Sequence, residues 1–332
     1  MILRSWQPSQ MAYPAATEHD FVALVGEVLG RPIDRVRIRA HLVRPYSEVW
    51  FLDAYADNTA LALVAKSWNS DAAFHRQIAA LQQARVAISD SDACIPYLGS
   101  VKAARLLLMK RVADPAIADL CRISLGAPVR IPYLSDRREW LEAACTKAGQ
   151  WLREWHTRTA ANGPVTPAFK AYLANRADCL TLLTDRDRSR ISQLVEGTGA
   201  SALCIPHGDF TPPNVLWSPQ RLTILDFGVA EWSQMSPFWD CVSFEIGLHR
   251  ALRFSAKGMG SWSPAIVDAA IEAFRNGYGE SAADSKARFA CFAVRHLVLY
   301  GGDTRRGHAY RRRALWHRRE MQRALDEAIG GS

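Results

Sequence analysis

Asp209, Asn214 and Asp226 fall within one short stretch, HGDFTPPNVLWSPQRLTILDFG at 207–228, each beside a hydrophobic residue or run. Two carboxylates and an amide oxygen are hard donors, the kind Mg2+ takes in an octahedral shell with phosphate oxygens and water. Phosphoryl transfer asks little covalent work of a protein; it needs metal ions on the phosphates and a hydroxyl nucleophile held in line. Asn214 opens one expected strand and Asp226 closes the next, with SPQR as the turn between them. Pairing of the two strands brings both oxygens to one end of a hairpin. Asp209, five residues before Asn214, lies on the incoming loop and can face the same point from the substrate side. The plain alternative is a surface hairpin whose turn residues happen to be polar.

The elements that must position these residues can be read from pattern. TEHDFVALVGEVLG has an N-cap in Thr17, apolar residues at helical spacing and a stop in Gly30. DRVRIRAHLV, SEVWFLDAYA and ALALVAKSW predict three antiparallel strands with short connections, and SDAAFHRQIAALQQAR predicts a helix with Phe74, Ile78 and Leu81 on one face. ARLLLMKRV is a further buried strand. From about residue 136 the period becomes helical, with Leu141, Ala144, Ala148, Leu152 and Trp155 on one stripe. The short strands ALCIP, NVLWS and LTILDF follow, and the rest of the chain after Trp239 is helical. The expected class is α+β: a small antiparallel β-rich lobe over 1–111 and a larger, mainly helical lobe over 112–332.

HGDFTPPN followed by ILDFG resembles the catalytic loop and metal-binding motif of the protein-kinase-like superfamily. It is most similar to the aminoglycoside phosphotransferase and choline-kinase family of small-molecule kinases, where His-Gly-Asp replaces His-Arg-Asp. The resemblance extends over most of the chain, because the other elements occur in the family's order. It implies a two-lobed protein-kinase-like fold and an ATP- and Mg2+-dependent transfer to a hydroxyl of a small molecule, with GTP as the alternative donor. Asp209 is then the catalytic base or hydroxyl-orienting group, Asn214 and Asp226 the metal ligands, and His207 a support of the loop. Asp240, in FWDCVSFEIGL, corresponds to an aspartate that braces the loop; capping a helix is its other reading. Lys66, on the third strand, corresponds to the lysine that holds the α- and β-phosphates, though a lysine there can also simply snorkel to solvent.

Three positions depart from the pattern. Gln77 stands where a glutamate should pair with Lys66, and it supplies no charge. The loop in VRPYSEVW lacks glycine, so Ser47 is left to meet phosphate through its hydroxyl or backbone. The hinge reads MKRV without the acidic residue often found there, leaving adenine to backbone groups around Lys110 and Val112. A protein kinase is disfavoured by the short segment from Gly228 to Asp240, which has no Ala-Pro-Glu.

The chain of 332 residues carries a formal net charge of +8, which favours anionic partners. The excess is concentrated in RRGHAYRRRALWHRREMQR at 305–323, where eight arginines meet the single acid Glu320. A solvated helix face is the ordinary explanation. As an acceptor wall, Arg295, His296, Arg305 and Arg306 suit phosphate or carboxylate oxygens and fit polycationic aminoglycosides poorly. The expected acceptor is therefore a sugar, sugar phosphate or glycolipid-type headgroup. An antibiotic O-phosphotransferase and a non-catalytic nucleotide-binding regulator are the alternatives. Peripheral contact of 305–323 with an anionic membrane surface is compatible with the charge. Nucleic acid is not an expected partner, because no reading module accompanies the charge.

Seven dispersed cysteines without a CxxC pair read as reduced thiols rather than a disulfide frame or zinc site. No apolar run reaches about 18 residues, and the start lacks a signal-peptide core, so the expected location is the cytoplasm.

Overall fold

The computed structural model describes residues 16–44, 47–87, 97–124, 137–198, 200–227, 234–253, 264–279 and 286–330. Gly228 and Cys94 lie outside these residues. The chain divides into two compact units, Met1–Gln83 with Ile95–Ala113 and Ala84–Cys94 with Asp114–Ser332.

The first unit opens with α1 (Glu18–Leu29), bounded as its sequence predicts. The Thr17 hydroxyl accepts the Asp20 N–H at 3.3 Å and the Asp20 carboxylate accepts the Thr17 N–H at 2.7 Å, a reciprocal cap that satisfies two orphan donors. Strands β1 (Arg35–Val43), β2 (Ser47–Ala56) and β3 (Thr59–Trp68) follow, then α2 (Asp71–Ala87), β4 (Tyr97–Val101) and β5 (Leu106–Lys110). They form one antiparallel sheet in the order β1-β2-β3-β5-β4. The interior place of β5 explains its unbroken apolar run, since Leu106, Leu107, Leu108 and Met109 are all buried. The edge strand β1 is mostly exposed, rich in charge and broken by a register shift between Ile38 and Ala40, features that discourage edge pairing. Strand β4 escapes sequence reading because Gly99 interrupts its short apolar pattern and its register shifts between Tyr97 and Gly99.

The second unit is mainly helical. It contains α3 (Ile117–Ser124), α4 (Arg137–Arg158), β6 (Ala161–Pro164), α5 (Thr166–Ala174), α6 (Ala177–Leu180), α7 (Asp185–Glu196), β7 (Ala200–Leu203), the hairpin β8 (Val215–Ser218) and β9 (Arg221–Ile224), and then α8 (Phe238–Arg253), α9 (Pro264–Tyr278), α10 (Lys286–Arg305) and α11 (Arg311–Gly330). The predicted stripe of α4 is buried throughout, from Leu141 to Trp155. Helices α4 and α9 touch backbone to backbone: a Cβ on Gly149 would lie 2.2 Å from the Phe274 carbonyl oxygen, and one on Gly277 2.1 Å from that of Thr146. Only glycine permits that approach. Six cysteines, all buried, are free thiols, and no helix among the described residues is long and apolar enough to cross a membrane. The architecture is α+β, with an antiparallel sheet in the N-terminal lobe and a mainly helical C-terminal part.

Candidate active site

Each aspartate of the motif is followed by a phenylalanine, and that pairing fixes the site. Phe210 and Phe227 are fully buried. Phe210 stacks on Trp151 of α4 with ring centroids 5.7 Å apart and packs on Phe244 of α8 at 5.3 Å. Phe227 meets Trp155 edge-on at 5.6 Å and lies 4.5 Å from the His207 ring. A buried phenylalanine contributes about 1.5–3 kcal/mol through burial, so each aromatic anchors the backbone that presents its acidic neighbour.

Pairing in the hairpin runs Val215 to Ile224 and Ser218 to Arg221, and the Leu225 N–H reaches the Asn214 carbonyl at 2.8 Å. Asn214 and Asp226 therefore stand at the same end, as the sequence pattern requires. Asn214 itself sits in a 3-10 turn over Pro212–Asn214, just before β8. Asp226 has φ +51°, in the left-handed region that costs an L-residue about 1–2 kcal/mol. Aspartate tolerates this conformation better than most residues, and strain of this kind concentrates at functional sites.

The Asn214 side-chain amide donates to the Asp209 carbonyl oxygen at 2.9 Å and to its carboxylate at 2.8 Å. The Asn214 Nδ2 is thereby used on Asp209, which leaves an oxygen, Oδ1, as its other polar atom. Asp209 has exposed surface, yet enough protein surrounds its carboxylate for desolvation to raise its pKa. Arg295 and the Asn214 hydrogen bond oppose that rise, while the charges of Asp226 and Asp240 reinforce it. Two carboxylates close enough to repel, with an amide oxygen beside them, form an all-oxygen donor set. Such a set fits a hard divalent cation such as Mg2+, which commonly takes only one or two protein groups. No group of three or more His, Cys, Asp or Glu side chains that could hold a metal ion occurs among the described residues.

The loop is held from behind by Asp240. This residue lies inside the first turn of α8 rather than ahead of it, and it is fully buried. Its carboxylate accepts the His207 N–H at 2.6 Å, the Gly208 N–H at 2.9 Å and the His156 Nε2–H at 3.1 Å. Burial pushes its pKa up, but the hydrogen bond and charge of His156, with those of His207, outweigh that and hold it below the ordinary aspartate value. His156 Nδ1 accepts in turn from the Tyr278 hydroxyl at 2.9 Å, tying α4, α8 and α9 to one point. His207 is also fully buried, and desolvation lowers its pKa to about 4, so its ring is neutral at physiological pH. Its Nδ1 accepts the Asp209 N–H at 3.3 Å, which puts the ring proton on Nε2. It orients the loop and does not face an acceptor.

Gly247, two turns along α8, supports the same loop. A Cβ there would come within 2.3 Å of Pro212 Cδ, and a proline ring cannot swing away. Gly247→Ala is expected to cost about 1–3 kcal/mol and to lower turnover by displacing the loop. Gly302→Ala on α10, where nothing lies within 4 Å, should instead be neutral or stabilising by up to about 1 kcal/mol. Thermal melts and turnover of the two variants check this contrast.

In the first unit, Lys66 pairs in register with Val49 and Leu107, and its Nζ lies 5.1 Å from the Trp68 ring centroid. Ser47 is buried at the start of β2 and its carbonyl accepts the Arg44 N–H at 2.9 Å. Lys110 is exposed at the end of β5, Val112 is half-buried, and Gln77 is buried on α2.

The four basic residues expected at the acceptor separate. Arg295 projects where its charge is felt at Asp209, with its guanidinium 5.0 Å from the Trp239 ring centroid. Arg306 forms an ion pair with Asp303 at 3.7 Å. Arg305 instead turns to Asp178 and the Cys179 sulfur. His296 is a correction: it is fully buried, with its Nδ1 2.8 Å from His317 Nδ1, and so is not presented to a ligand. Sequence reading missed His156, Tyr278, Gly247 and Arg250, whose roles depend on contacts between distant elements.

Comparison with known proteins agrees with this geometry. Residues 72–240 match the APH phosphotransferase enzyme family. A thermostable mutant of an aminoglycoside phosphotransferase, solved with ADP and hygromycin B, is similar at a TM-score of 0.56 and 13% identity, covering 92% of this chain and 97% of the other. A spectinomycin phosphotransferase bound to ADP and spectinomycin is similar at 0.51 and 13%, covering 95% and 98%. A glucosamine kinase in complex with glucosamine, ADP and inorganic phosphate is similar at 0.51 and 12%, covering 89% and 82%. No curated protein sequence matches the chain. With half of its length matched, and the motif residues inside the matched span, the chain belongs to the APH phosphotransferase family, on a protein-kinase-like fold.

Proposed function

We propose that the protein is a small-molecule kinase that transfers the γ-phosphoryl group of ATP to an alcohol oxygen. The observation that carries this reading is the double hydrogen bond from Asn214 to Asp209, in a loop clamped by Asp240 and beside the strained Asp226. Side chains of these types have little structural reason to be fixed in this arrangement. Asp209 orients the acceptor hydroxyl and receives its proton. The hydroxyl oxygen bonds to the γ-phosphorus as the bridging P–O bond breaks, and ADP leaves. Asn214 Oδ1 and the Asp226 carboxylate would hold Mg2+, which would supply neutralisation of phosphate charge. Lys66 pairs with the α- and β-phosphates, and Ser47, Lys110 and Val112 line the nucleotide site. Gln77 holds Lys66 less firmly than a glutamate would.

The acceptor is a hydroxylated small molecule of the sugar, sugar phosphate or glycolipid-headgroup class. An aminoglycoside acceptor is favoured by the named structural relatives but disfavoured by the charge of Arg295 at Asp209. A non-catalytic nucleotide-binding role is favoured by Gln77 and by the glycine-free loop of VRPYSEVW, and opposed by Asp209, Asn214 and Asp226 together. Nucleotide titrations test the reading: wild type binds ATP more tightly with Mg2+ than without, and Asp226→Ala loses at least tenfold of that gain. If wild type binds no Mg-nucleotide at all, the kinase and the regulatory reading both fail.

A further inference from the structure

Beyond the motif, helices α8, α10 and α11 bring Arg250, Arg306 and Arg313 together around one acid, Asp303, with Arg295 further along α10 near enough for its charge to be felt at Arg250. On α8 the stripe that starts at Asp240 and passes Gly247, which rests on Pro212 of the loop, reaches Arg250 one turn later, about 5 Å further on. Helix α8 packs directly on α10. On α10, Arg295, Asp303 and Arg306 recur at helical spacing on one face. Arg313 of α11 makes a two-pronged bond to Asp303, at 2.8 Å on each prong, and Arg306 meets the same carboxylate at 3.7 Å. Arg306 and Arg313 both lie over Tyr310, at 5.4 and 4.8 Å from its ring centroid.

Asp303 therefore supplies one negative charge against the three positive charges of Arg250, Arg306 and Arg313. The imbalance is felt most by Arg250, whose pKa is pushed down to about 10 by desolvation and by repulsion from Arg313, Arg306 and Arg295, with Asp303 opposing. The buried His296 and His317 are neutral, since desolvation lowers the pKa of both, so neither answers nor adds to the positive charge. Arg295 hydrogen-bonds the Tyr172 hydroxyl through its guanidinium, but its Nε–H is buried and has no hydrogen-bond acceptor in the protein. A buried, unanswered guanidinium donor costs stability unless something else accepts from it. Arg295 is also the arginine whose charge reaches Asp209.

We propose that Arg250, Arg295 and Arg306 form an anion subsite for the acceptor, so that the alcohol delivered to Asp209 belongs to a molecule that already carries a phosphate group. A phosphate monoester brings about −1.5 to −2 charge and three strong acceptor oxygens, close to the two positive charges left when Asp303 is set against Arg250, Arg306 and Arg313. Turnover then converts a hydroxylated monophosphate and ATP into a bisphosphate and ADP, the acceptor proton passing to Asp209. This inference rests on the kinase reading above. A free monophosphate and a phospholipid headgroup share the recognising chemistry.

The first test uses inorganic phosphate on the full-length protein without nucleotide. Saturable binding is expected, weakened at least tenfold in Arg250→Ala and in Arg295→Ala, and changed less than twofold in Arg312→Ala on the exposed face of α11. Equal weakening in Arg312→Ala, or loss confined to Lys66→Ala, overturns the subsite. The second test scores ADP release on matched pairs: glucose 6-phosphate against glucose, and glycerol 3-phosphate against glycerol. Phosphatidylglycerol vesicles against phosphatidylcholine vesicles serve as the lipid arm, and kanamycin as the cationic control. At least tenfold higher kcat/KM for the phosphate-bearing member of a soluble or lipid pair, lost in Arg250→Ala, supports the proposal and identifies the source. Turnover of neutral or cationic acceptors without that preference overturns it while the kinase reading stands. Phosphate binding with no ADP release from any acceptor removes the kinase reading and this inference with it.

Discussion

Asp209→Ala is expected to lower turnover by about 10²–10⁴-fold, the span one positioned general base supplies, and to leave Mg-nucleotide affinity within about threefold. The asymmetry follows from the site's construction. Asp209 donates nothing to the anchoring of the loop through its side chain; that task falls to Phe210, to the His207 and Gly208 N–H groups on Asp240, and to the ring of His207. The carboxylate's one fixed partner is the Asn214 amide, which keeps its second bond, to the Asp209 backbone carbonyl, after the substitution. Binding and chemistry are therefore separable at this residue. The pH profile provides a second readout. Asp209 acts as a base only when ionised, and its pKa is raised, so kcat/KM is lost on acidification at a pH above the ordinary aspartate value of about 3.9. Nucleotide titration, steady-state rates and a pH series on wild type and Asp209→Ala measure all three.

Asp240→Ala has the largest expected effect on stability. It strands two backbone N–H groups and the His156 Nε2–H in a fully buried place and removes the point where α4, α8 and the loop meet. Breaking one side of a buried, hydrogen-bonded charged group costs about 3–5 kcal/mol. For a unit of this size that is a fall in Tm of roughly 10 °C or more. Asp240→Asn, which keeps an acceptor oxygen, is expected to lose less. The folded pKa of Asp240 is depressed, so its contribution is complete above the unfolded value and is lost as pH falls below it toward the folded value. Chemical denaturation at neutral pH and at pH 3 reads both effects: the deficit of Asp240→Ala relative to wild type narrows at the lower pH. An unchanged Tm in Asp240→Ala would contradict the clamp.

What could be read from sequence was local. Thr17 and Gly30 bound α1 because caps are satisfied within a few residues. The hairpin brings Asn214 and Asp226 together because strand, turn and strand are contiguous, and the resemblance extended that to Asp209 and Asp240. What escaped depends on distance along the chain. Strand β6 reads ANGP, with a glycine and a proline that disfavour strands, and exists because it pairs with β7 some 40 residues later. His156 carries no signal of its own; its partners Asp240 and Tyr278 are 84 and 122 residues away. Arg295 and His296 illustrate the limit within a single helix. Consecutive residues on α10 point about 100° apart, so Arg295 lies over the Trp239 ring while His296 enters the core beside His317. Composition marked the basic region correctly but could not separate Arg306, which joins Asp303, from Arg305, which joins Asp178.

The most direct measurement follows the γ-phosphoryl group itself. Wild type and Asp209→Ala are incubated with ATP, Mg2+ and a mixed panel of sugars, sugar phosphates, amino alcohols, aminoglycosides and lipid-linked sugars, and the phosphorus is tracked by 31P NMR. The site built from Asp209, Asn214 and Asp226 predicts a new phosphomonoester signal that grows with ADP in wild type and is absent in Asp209→Ala. An equal rate of phosphomonoester formation in Asp209→Ala, or nucleotide bound by wild type with no phosphoryl transfer to any alcohol, would contradict it.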